Sequence, residues 1–535
     1  MSLATRPIGC YVAELLAANG IDTVFGIPGV HTLELYRGLA RASRLRHVLT
    51  RHEQGAGFAA DGYARASGRP AAAFVISGPG VTNLLTAAGQ AYSDSVPMLI
   101  VASTPARASL GSRWGVLHEL ADQHAVVSGV LDLVCTARSA EEVRDFLRTV
   151  FHAFRTERPR PAYLGIPLDL LAESTTLPAE TFAVPRLPSV PAGSGLEQAA
   201  GLLNAARRPA IIAGGGARGA ARELRQLIER LDGFLVTTAA GKGVLPEAHR
   251  CNLGCSLPYE VTQQLLMQAD VVLAVGTEMA ETDVYTSHRL PFAGKLIRID
   301  IDAQRNDLYP AAASIRADAR TALTALVELI RPRTGWCAEV GEAATHRSRI
   351  DAVLDPPALA RRRALDAIRA ALPPDAALFT DMTQIAYLGN YAFATDAPGL
   401  WHHPSGYGTL GYAFPAALGA KIAMPQRVVA ALIGDFGLQY TLPELATAVE
   451  LGLSLPVIVW NNAALGQIKD DMLATGIPPV GVVARNPDFV ALALACGAQG
   501  VRVASGEKLT AAIKAALGRS GPTLIEVDAL EFPAA

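Results

Sequence analysis

Short runs of apolar residues alternate with longer helical patterns along most of this chain. The runs have the length of a strand and are apolar on both faces, as in Ala71 to Ile76, Val428 to Ile433 and Leu455 to Trp460. Strands buried on both faces are typical of parallel sheets that are covered by helices. At 535 residues, half of them hydrophobic, the chain is too long for one core. The alternation therefore predicts several α/β domains.

Two proline-containing stretches divide this pattern into three segments. The first, AVPRLPSVPAGSG, begins at Ala183, and the second, RSRIDAVLDPPALARRR, begins at Arg347. Both are typical of linkers. We therefore expect three doubly wound parallel-sheet domains, over residues 1–180, 190–335 and 355–535.

Charge and composition exclude several classes of partner. A net charge of −2 gives no electrostatic footprint for nucleic acid or an anionic membrane. Gly, Pro or charged residues break every apolar stretch, so we expect no membrane-spanning helix. The N-terminal residues lack the basic and apolar regions of a signal peptide, and the six scattered cysteines are typical of reduced thiols. We therefore expect a cytoplasmic protein that binds neither nucleic acid nor a membrane.

A glycine loop follows one apolar run of the middle segment. Gly214, Gly216 and Gly219 fit the G-x-G-x-x-G pattern of a dinucleotide site. The next run ends in Thr237 and Thr238, so no acidic residue is available there to bind a ribose. Tight turns explain the glycines equally well.

Two successive apolar runs of the third segment end in polar residues. Gly434-Asp435 follows one run and Asn461-Asn462 follows the next, with one helical pattern between them. Ligands of open α/β sheets bind outside the carboxyl ends of the strands. A carboxylate, an amide oxygen and a nearby backbone carbonyl suit Mg²⁺ or Ca²⁺, with diphosphate oxygens completing the coordination. A helix-capping aspartate beside a turn is the alternative.

These two motifs resemble the fingerprint of thiamine diphosphate enzymes. The resemblance implies that Asp435 and Asn462 bind Mg²⁺ through their side chains and Ala464 through its carbonyl, with Ca²⁺ or Mn²⁺ as substitutes. Phe436 is a departure, because the family often has glycine there. The resemblance covers nearly the whole chain and implies a pyrimidine-binding domain, a central domain and a diphosphate-binding domain, in that order.

A second motif, TRHEQGAGFAADGYAR, carries Glu53. In the family a glutamate at this position hydrogen-bonds the pyrimidine ring of the cofactor and promotes its activation. The segments SGPGVTN and GYGTLGYAFPAALGAK resemble further cofactor loops, and Leu410 is implied to lie between the two cofactor rings. The resemblance places these residues at the cofactor: Pro28, Glu53, Gly80, Asn83, Thr383, Gln384, Gly408, Leu410, Gly434, Asp435, Phe436, Asn462 and Leu465.

The resemblance implies non-oxidative decarboxylation of a 2-oxo acid through a ylid and an enamine intermediate. His31 and His118 lie on loops that approach the cofactor in relatives, and either imidazole could transfer a proton. Gln467 falls where relatives have pocket-lining residues. The candidate catalytic residues are therefore Glu53, His31, His118 and Gln467, whereas His402-His403 is interpreted as structural.

The segments FGIPGVHTLELYRGL and LHELADQ are similar to those of 5-guanidino-2-oxopentanoate (2-ketoarginine) decarboxylases. A guanidinium substrate needs a carboxylate partner, and the candidates are Glu119, Asp470 and Asp471. The alternative is an acetolactate synthase-type carboligase that joins 2-oxo acids. Such enzymes often bind FAD through the central domain, where only the weak glycine loop could hold it. In the family the glutamate and the metal motif meet across a subunit interface, so we expect a homodimer or homotetramer.

Overall fold

The computed structural model of this chain describes residues 5–183, 195–286, 289–290, 292–302 and 309–533. Three parallel sheets covered by helices form three α/β domains, and the predicted fold class is confirmed. The first predicted linker falls on residues 183–195 and, apart from its two end residues, lies outside the described residues. Within the described ranges, no helix is long and apolar enough to cross a bilayer.

The first domain combines a short antiparallel strand pair with a six-stranded parallel sheet. Its strands are β1 (Arg6–Pro7), β2 (Thr23–Gly26), β3 (Arg46–Leu49), β4 (Ala71–Val75), β5 (Met98–Thr104), β6 (Leu133–Thr136), β7 (Ala162–Pro167) and β8 (Ser174–Thr175). Its helices are α1 (Ile8–Ala18), α2 (Leu33–Arg41), α3 (Glu53–Ser67), α4 (Pro79–Ser93), α5 (Gln123–Ser128), α6 (Ala140–Thr156) and α7 (Leu168–Ala172). The sheet has the order β3-β2-β4-β5-β7-β6, and β1 pairs with β8.

The central domain has a five-stranded parallel sheet. Its strands are β9 (Pro209–Ala213), β10 (Phe234–Thr237), β11 (Val271–Val275), β12 (Lys295–Asp300) and β13 (Ala313–Arg316). Its helices are α8 (Leu196–Ala205), α9 (Ala221–Leu231), α10 (Glu260–Met267), α11 (Glu281–Val284), α12 (Ala319–Leu329), α13 (Trp336–Val340) and α14 (Ala343–Asp351). The strand order is β10-β9-β11-β12-β13.

The third domain has a second six-stranded parallel sheet. Its strands are β14 (Ala377–Thr380), β15 (Trp401–His402), β16 (Val429–Gly434), β17 (Leu455–Asn461), β18 (Gln499–Val503) and β19 (Pro522–Asp528). Its helices are α15 (Pro356–Ala371), α16 (Gln384–Ala392), α17 (Ala413–Ala423), α18 (Asp435–Thr441), α19 (Glu444–Glu450), α20 (Gly466–Ala474), α21 (Phe489–Ala495) and α22 (Gly506–Leu517). The strand order is β15-β14-β16-β17-β19-β18.

The two six-stranded sheets share one topology. Numbered within its own sheet, each has the strand order 2-1-3-4-6-5. The direction of winding reverses between the first and third strands, which are β2 and β4 in one sheet and β14 and β16 in the other. Ligands of doubly wound folds bind at such a switch point. The loops that follow these four strands are therefore the places to look for a site.

The stretch Arg347–Arg363, predicted as a second linker, is largely helical instead and forms parts of α14 and α15. The Asp355 side chain accepts a hydrogen bond from the Ala358 N–H and caps α15. Pro356 occupies the first position of the helix, where a missing N–H has no cost. The prolines that suggested a linker thus mark the start of a helix.

The first and third domains pack against each other through α3 and α17. A Cβ on Gly62 would lie 1.9 Å from the carbonyl oxygen of Ala416, and a Cβ on Gly419 would lie 1.8 Å from that of Ala59. The two backbones approach so closely that only glycine fits at either position. This reciprocal contact fixes the first domain on the third.

Candidate active site

Asp435 and Asn462 lie at the carboxyl ends of neighbouring parallel strands. β16 and β17 pair in parallel, with Gly434 opposite Trp460. Asp435 directly follows β16, and Asn462 directly follows β17. The Asp435 carboxylate is buried at the first position of α18. The two side chains predicted to form one site therefore occupy the same edge of the sheet.

Asn486, which no sequence motif marks, connects the two motifs. Its Nδ2 donates to Asp435 Oδ2 at 2.6 Å and to Asn461 Oδ1 at 2.8 Å. Burial raises the pKa of Asp435, while hydrogen bonds from Asn486 and from backbone N–H groups lower it. No Lys or Arg of the described residues forms an ion pair with this carboxylate. A bound cation would therefore stabilise it.

Two glycines let the neighbouring candidates approach closely. A Cβ on Gly434 would lie 3.3 Å from the Thr383 side chain, and a Cβ on Gly466 would lie 2.5 Å from Asn462 Nδ2 and 2.6 Å from Gln384 Oε1. Thr383 and Gln384 begin α16, after β14, and α18 begins after β16. The loops at the switch point thus bring four predicted residues together.

The turn after Asn462 is strained. Ala463 has a φ of 52°, a left-handed conformation that costs a non-glycine residue about 1 kcal/mol or more. The turn lets the Ala464 N–H donate to Asn462 Oδ1 at 3.2 Å. Leu465 lies immediately before α20, and Phe436 is the second residue of α18. Both residues are half-buried.

Leu410 lies on a loop that is anchored on both sides. Gly408 and Gly411 have φ values of 70° and 85°, which only glycine adopts without strain. The Gly411 N–H donates to Asp381 Oδ2 at 2.8 Å, and Thr441 Oγ1 donates to the Gly411 carbonyl at 2.9 Å. Asp381 is fully buried, and desolvation raises its pKa to about 7. The half-buried Leu410 is therefore held in one position.

Glu53 begins α3 in the first domain. The Asn83 Nδ2 atom donates to Glu53 Oε2 at 2.9 Å, and a Cβ on Gly80 would lie 3.5 Å from Glu53 Oε1. Among the described residues no hydrogen bond reaches Glu53 Oε1. Three residues predicted at the pyrimidine ring are thus adjacent, and one carboxylate oxygen is available to a ligand.

His31 and His118 form a pair beside this glutamate. Their rings lie 4.9 Å apart in an edge-to-face arrangement, and His31 Nδ1 is 2.6 Å from Ser77 Oγ. Burial and the neighbouring His118 lower the pKa of His31, so it is neutral at pH 7. His118 has a φ of 63°, and its buried Nδ1 has no hydrogen-bond partner in the described part of the chain. Pro28, on the same loop as His31, is exposed.

A third-domain residue holds the chain just before Glu53. The buried Glu444 accepts the Arg51 and His52 N–H groups on Oε1, at 2.9 Å and 3.0 Å. Its Oε2 accepts a hydrogen bond from Thr447 Oγ1 at 2.8 Å. The start of α3 is therefore positioned from another domain, which the sequence pattern did not indicate.

A cavity of about 600 Å³ lies between the central and third domains. Gln384, Met382 and the predicted Gln467 line it on the third-domain side, and Gln467 Nε2 donates to Asp471 at 3.0 Å. Its volume is typical of sites for small molecules. Because Gln384 also adjoins Asn462, the cavity borders the group of residues around Asp435.

The glycine loop of the central domain packs against its own sheet. A Cβ on Gly214 would lie 2.4 Å from the Gly276 carbonyl oxygen, and a Cβ on Gly216 would lie 2.9 Å from the Gly276 Cα. Close packing between the loops that follow β9 and β11 therefore accounts for two of the three glycines.

All three domains match family models. These are the thiamine pyrophosphate enzyme N-terminal TPP binding domain over residues 7–126, the central domain over residues 196–326, and the C-terminal TPP binding domain over residues 381–527. The chain belongs to the thiamine pyrophosphate enzyme family. It is therefore an enzyme that uses thiamine diphosphate.

Several relatives of this thiamine pyrophosphate enzyme are similar over most of their length. A probable 2-ketoarginine decarboxylase, AruI, of Pseudomonas aeruginosa is 51% identical over 528 residues, covering 98% of this chain and 94% of the relative. The acetolactate synthase isozyme 1 large subunit of Escherichia coli is 30% identical, with 97% and 93% covered. The acetolactate synthase of Mycobacterium bovis is 32% identical, with 92% and 82% covered.

The residues of this thiamine pyrophosphate enzyme fit its cofactor. Asp435, Asn462 and Ala464 offer a carboxylate, an amide and a carbonyl oxygen, which suit a hard divalent cation. The glycines at 434 and 466 leave backbone approaches that a Cβ would fill, as a diphosphate requires. Glu53, with one carboxylate oxygen available, lies in the N-terminal TPP binding domain. No hydrogen bond or ion pair between described residues links Glu53 to Asp435.

All three acids considered for a guanidinium substrate have other partners in this enzyme. Glu119 accepts the Arg113 and Gly115 N–H groups of its own loop, at 2.9 Å and 2.6 Å. Asp470 accepts a hydrogen bond from Gln384 at 2.7 Å, and Asp471, which lines the cavity, accepts one from Gln467 at 3.0 Å. The side chains of His402 and His403 are both buried. The His402 ring stacks on the Phe379 ring, with ring centroids 4.2 Å apart.

Proposed function

We propose that this thiamine pyrophosphate enzyme decarboxylates 5-guanidino-2-oxopentanoate to 4-guanidinobutanal and CO₂, without oxidation. The observation that carries the proposal is the 51% identity, over nearly the whole chain, to a relative named as a probable 2-ketoarginine decarboxylase. Identity to the acetolactate synthases is 30% and 32%. Thiamine diphosphate, once bound, accepts the electron pair that the departing CO₂ leaves behind.

Mg²⁺ is the proposed metal, held by Asp435, Asn462 and the Ala464 carbonyl, with Ca²⁺ or Mn²⁺ able to replace it. The buried Asp435 carboxylate has no cationic partner among the described residues, which supports a bound cation. Thr383 and Gln384, at the start of α16, would contact the diphosphate.

Proton transfer is assigned to the first domain. Glu53 would share a proton with the pyrimidine ring of the bound cofactor, and the hydrogen bond from Asn83 holds its carboxylate in position. Decarboxylation without oxidation needs a proton donor, and the His31–His118 pair is suited to that role. Burial and the neighbouring His118 lower the pKa of His31, and its Nδ1 lies 2.6 Å from Ser77 Oγ, so a proton that the imidazole accepts is readily passed on. Gln467, on the cavity wall, would orient the substrate.

The working unit is proposed to be a homodimer or homotetramer with active sites at the subunit interface. Four apolar side chains next to the histidine pair support this: Val30, Leu33, Trp114 and Leu117 are 60–80% exposed. Such a surface on a single chain is typical of an interaction site. The free state of all six cysteines supports a cytoplasmic location.

An acetolactate-type carboligase is the second candidate, because a cavity of about 600 Å³ has room for a second 2-oxo acid. Product analysis decides between the two. The enzyme is incubated with thiamine diphosphate and Mg²⁺, and with pyruvate, benzoylformate or 5-guanidino-2-oxopentanoate in separate reactions. We expect CO₂ and 4-guanidinobutanal from the guanidino acid and little product from the others. Acetolactate from pyruvate, with the guanidino acid inert, would refute the proposal, and a yellow protein would indicate bound FAD.

A further inference from the structure

The central-domain wall of the cavity contains a carboxylate that the site described so far does not use. Asp283, in the short helix α11, lines the cavity together with residues of the third domain. Its Oδ2 accepts the Ala280 N–H at 3.1 Å, which caps the helix. Within the described ranges no other hydrogen bond or ion pair to Asp283 is present. Among the described residues, the other carboxylate oxygen of this cavity-lining side chain therefore has no hydrogen-bond partner.

The charges around Asp283 favour a cation. Desolvation raises its pKa to about 7, and the negative charges of Glu278 and Asp94 act in the same direction. Arg361 also lines the cavity, on the third-domain side; burial lowers its pKa, and the negative charges of Asp355 and Asp470 act against that shift. In the part of the chain that the structure describes, no cation compensates Asp283. A positively charged ligand group would therefore be attracted to it.

The remaining walls suit a flat cation. Four tyrosines line the cavity: Tyr259, Tyr285, Tyr387 and Tyr391. The rings of Tyr259 and Tyr391 have centroids 5.0 Å apart. A guanidinium group is planar, stacks on aromatic faces and forms paired hydrogen bonds with a carboxylate. An ammonium group would use the carboxylate but gain less from these rings.

The cavity also extends to the residues around the proposed cofactor site. Gln384 lines it and lies beside Asn462, whereas Asp283 belongs to the opposite domain. We propose that Asp283 binds the guanidinium group of the 2-oxo acid and thereby selects the substrate. This inference rests on the proposed function and adds to it the residue that recognises the far end of the substrate.

The test compares 5-guanidino-2-oxopentanoate with 5-ureido-2-oxopentanoate, a neutral compound of nearly the same shape. We expect the wild type to prefer the guanidino acid in kcat/KM by about 100-fold or more, since a buried charge-assisted contact is lost with the ureido acid. Asp283→Asn should reduce this preference to a few-fold, mainly by lowering kcat/KM for the guanidino acid. Asparagine can still cap the helix, so the variant mainly removes the charge.

Two control variants should keep the preference. Glu281→Gln changes an exposed acid on the same helix, and Asp471→Asn changes an acid on the opposite wall of the cavity. Calorimetric binding of 5-guanidinopentanoate to the holoenzyme provides a readout without turnover, and Asp283→Asn should weaken it at least tenfold. The binding data also stand if the variant turns over too slowly to assay.

Each outcome has a distinct meaning. An Asp283→Asn enzyme that keeps the preference and binds the analogue normally would overturn the inference and leave the proposed function intact. Equal losses of the preference in Asp283→Asn and Asp471→Asn would show that the overall negative charge of the cavity, and not Asp283 in particular, attracts the substrate. That result would also overturn the inference. A wild type that turns over pyruvate but neither binds nor decarboxylates the guanidino compounds would refute the proposed function itself.

Discussion

Replacing Glu444 with glutamine should slow the reaction although residue 444 lies outside the cofactor residues. Its Oε1 accepts two backbone N–H groups, those of Arg51 and His52, immediately before Glu53. A hydrogen bond to a charged group contributes about 1 kcal/mol more than one to a neutral group, so the variant loses about 2 kcal/mol over two bonds. That energy holds the start of α3, and 2 kcal/mol corresponds to about 30-fold in an equilibrium.

We therefore expect Glu444→Gln to lower kcat/KM by up to about 30-fold, with a larger loss in Glu444→Ala because two buried N–H groups then lack an acceptor. The assay measures decarboxylation at several thiamine diphosphate concentrations, together with the thermal midpoint. Glu450→Gln is the matched control, since Arg51 is the one ion-pair partner of Glu450 among the described residues and the Glu450 side chain is half exposed. An exposed ion pair contributes little, so this control should stay within about twofold of the wild type. Full activity in Glu444→Gln, or an equal loss in the control, would refute a positioning role.

Three further predictions follow from the same geometry. Gly466→Ala should raise the concentration of Mg²⁺ needed for half-maximal activity at least tenfold with little change in fold. The reason is that the new Cβ would lie 2.5 Å from the side-chain amide nitrogen of Asn462. Titration with Mg²⁺ after treatment with a chelator tests this. Mixing inactive Glu53→Gln and Asp435→Asn proteins, after subunit exchange, should restore about a quarter of wild-type activity if each site is shared between subunits, whereas sites within one chain would restore none. Burial and the Arg65 charge lower the pKa of His403 to about 3, below its unfolded value, so its contribution to stability is present above about pH 6.5 and lost as the pH falls. The thermal midpoint should therefore fall less between pH 7 and pH 5 in His403→Asn than in the wild type.

The arrangement of the sheet edge was predictable because it depends on local patterns. Two apolar runs separated by one helical pattern force Asp435 and Asn462 to adjacent strand ends. Glu53 and Asn83 are predicted at one ring only through family resemblance, because nothing in their spacing shows that the starts of α3 and α4 meet. Asn486, which joins both third-domain motifs, follows Asp435 by 51 residues.

The sequence was least informative where two domains meet. Asp283 has no motif around it, and its significance depends on a cavity whose other wall comes from the third domain. Glu444 likewise acts on a loop 392 residues earlier in the chain. The Arg347–Arg363 stretch was misassigned because its prolines begin a helix as readily as they interrupt one. Long-range contacts of this kind leave no periodic signal in the sequence.

The reciprocal glycine contact between α3 and α17 also affects how such an enzyme can evolve. Neither helix has room for a single methyl group at the crossing, so a change in one must be tolerated at once by the other. Most single substitutions at this crossing would therefore disrupt the packing, so they cannot accumulate one at a time during evolution. The short helix α11, by contrast, contains no glycine and forms part of one wall of the cavity. A lineage could acquire a new substrate by exchanging that helix alone, and a protein engineer can follow the same route.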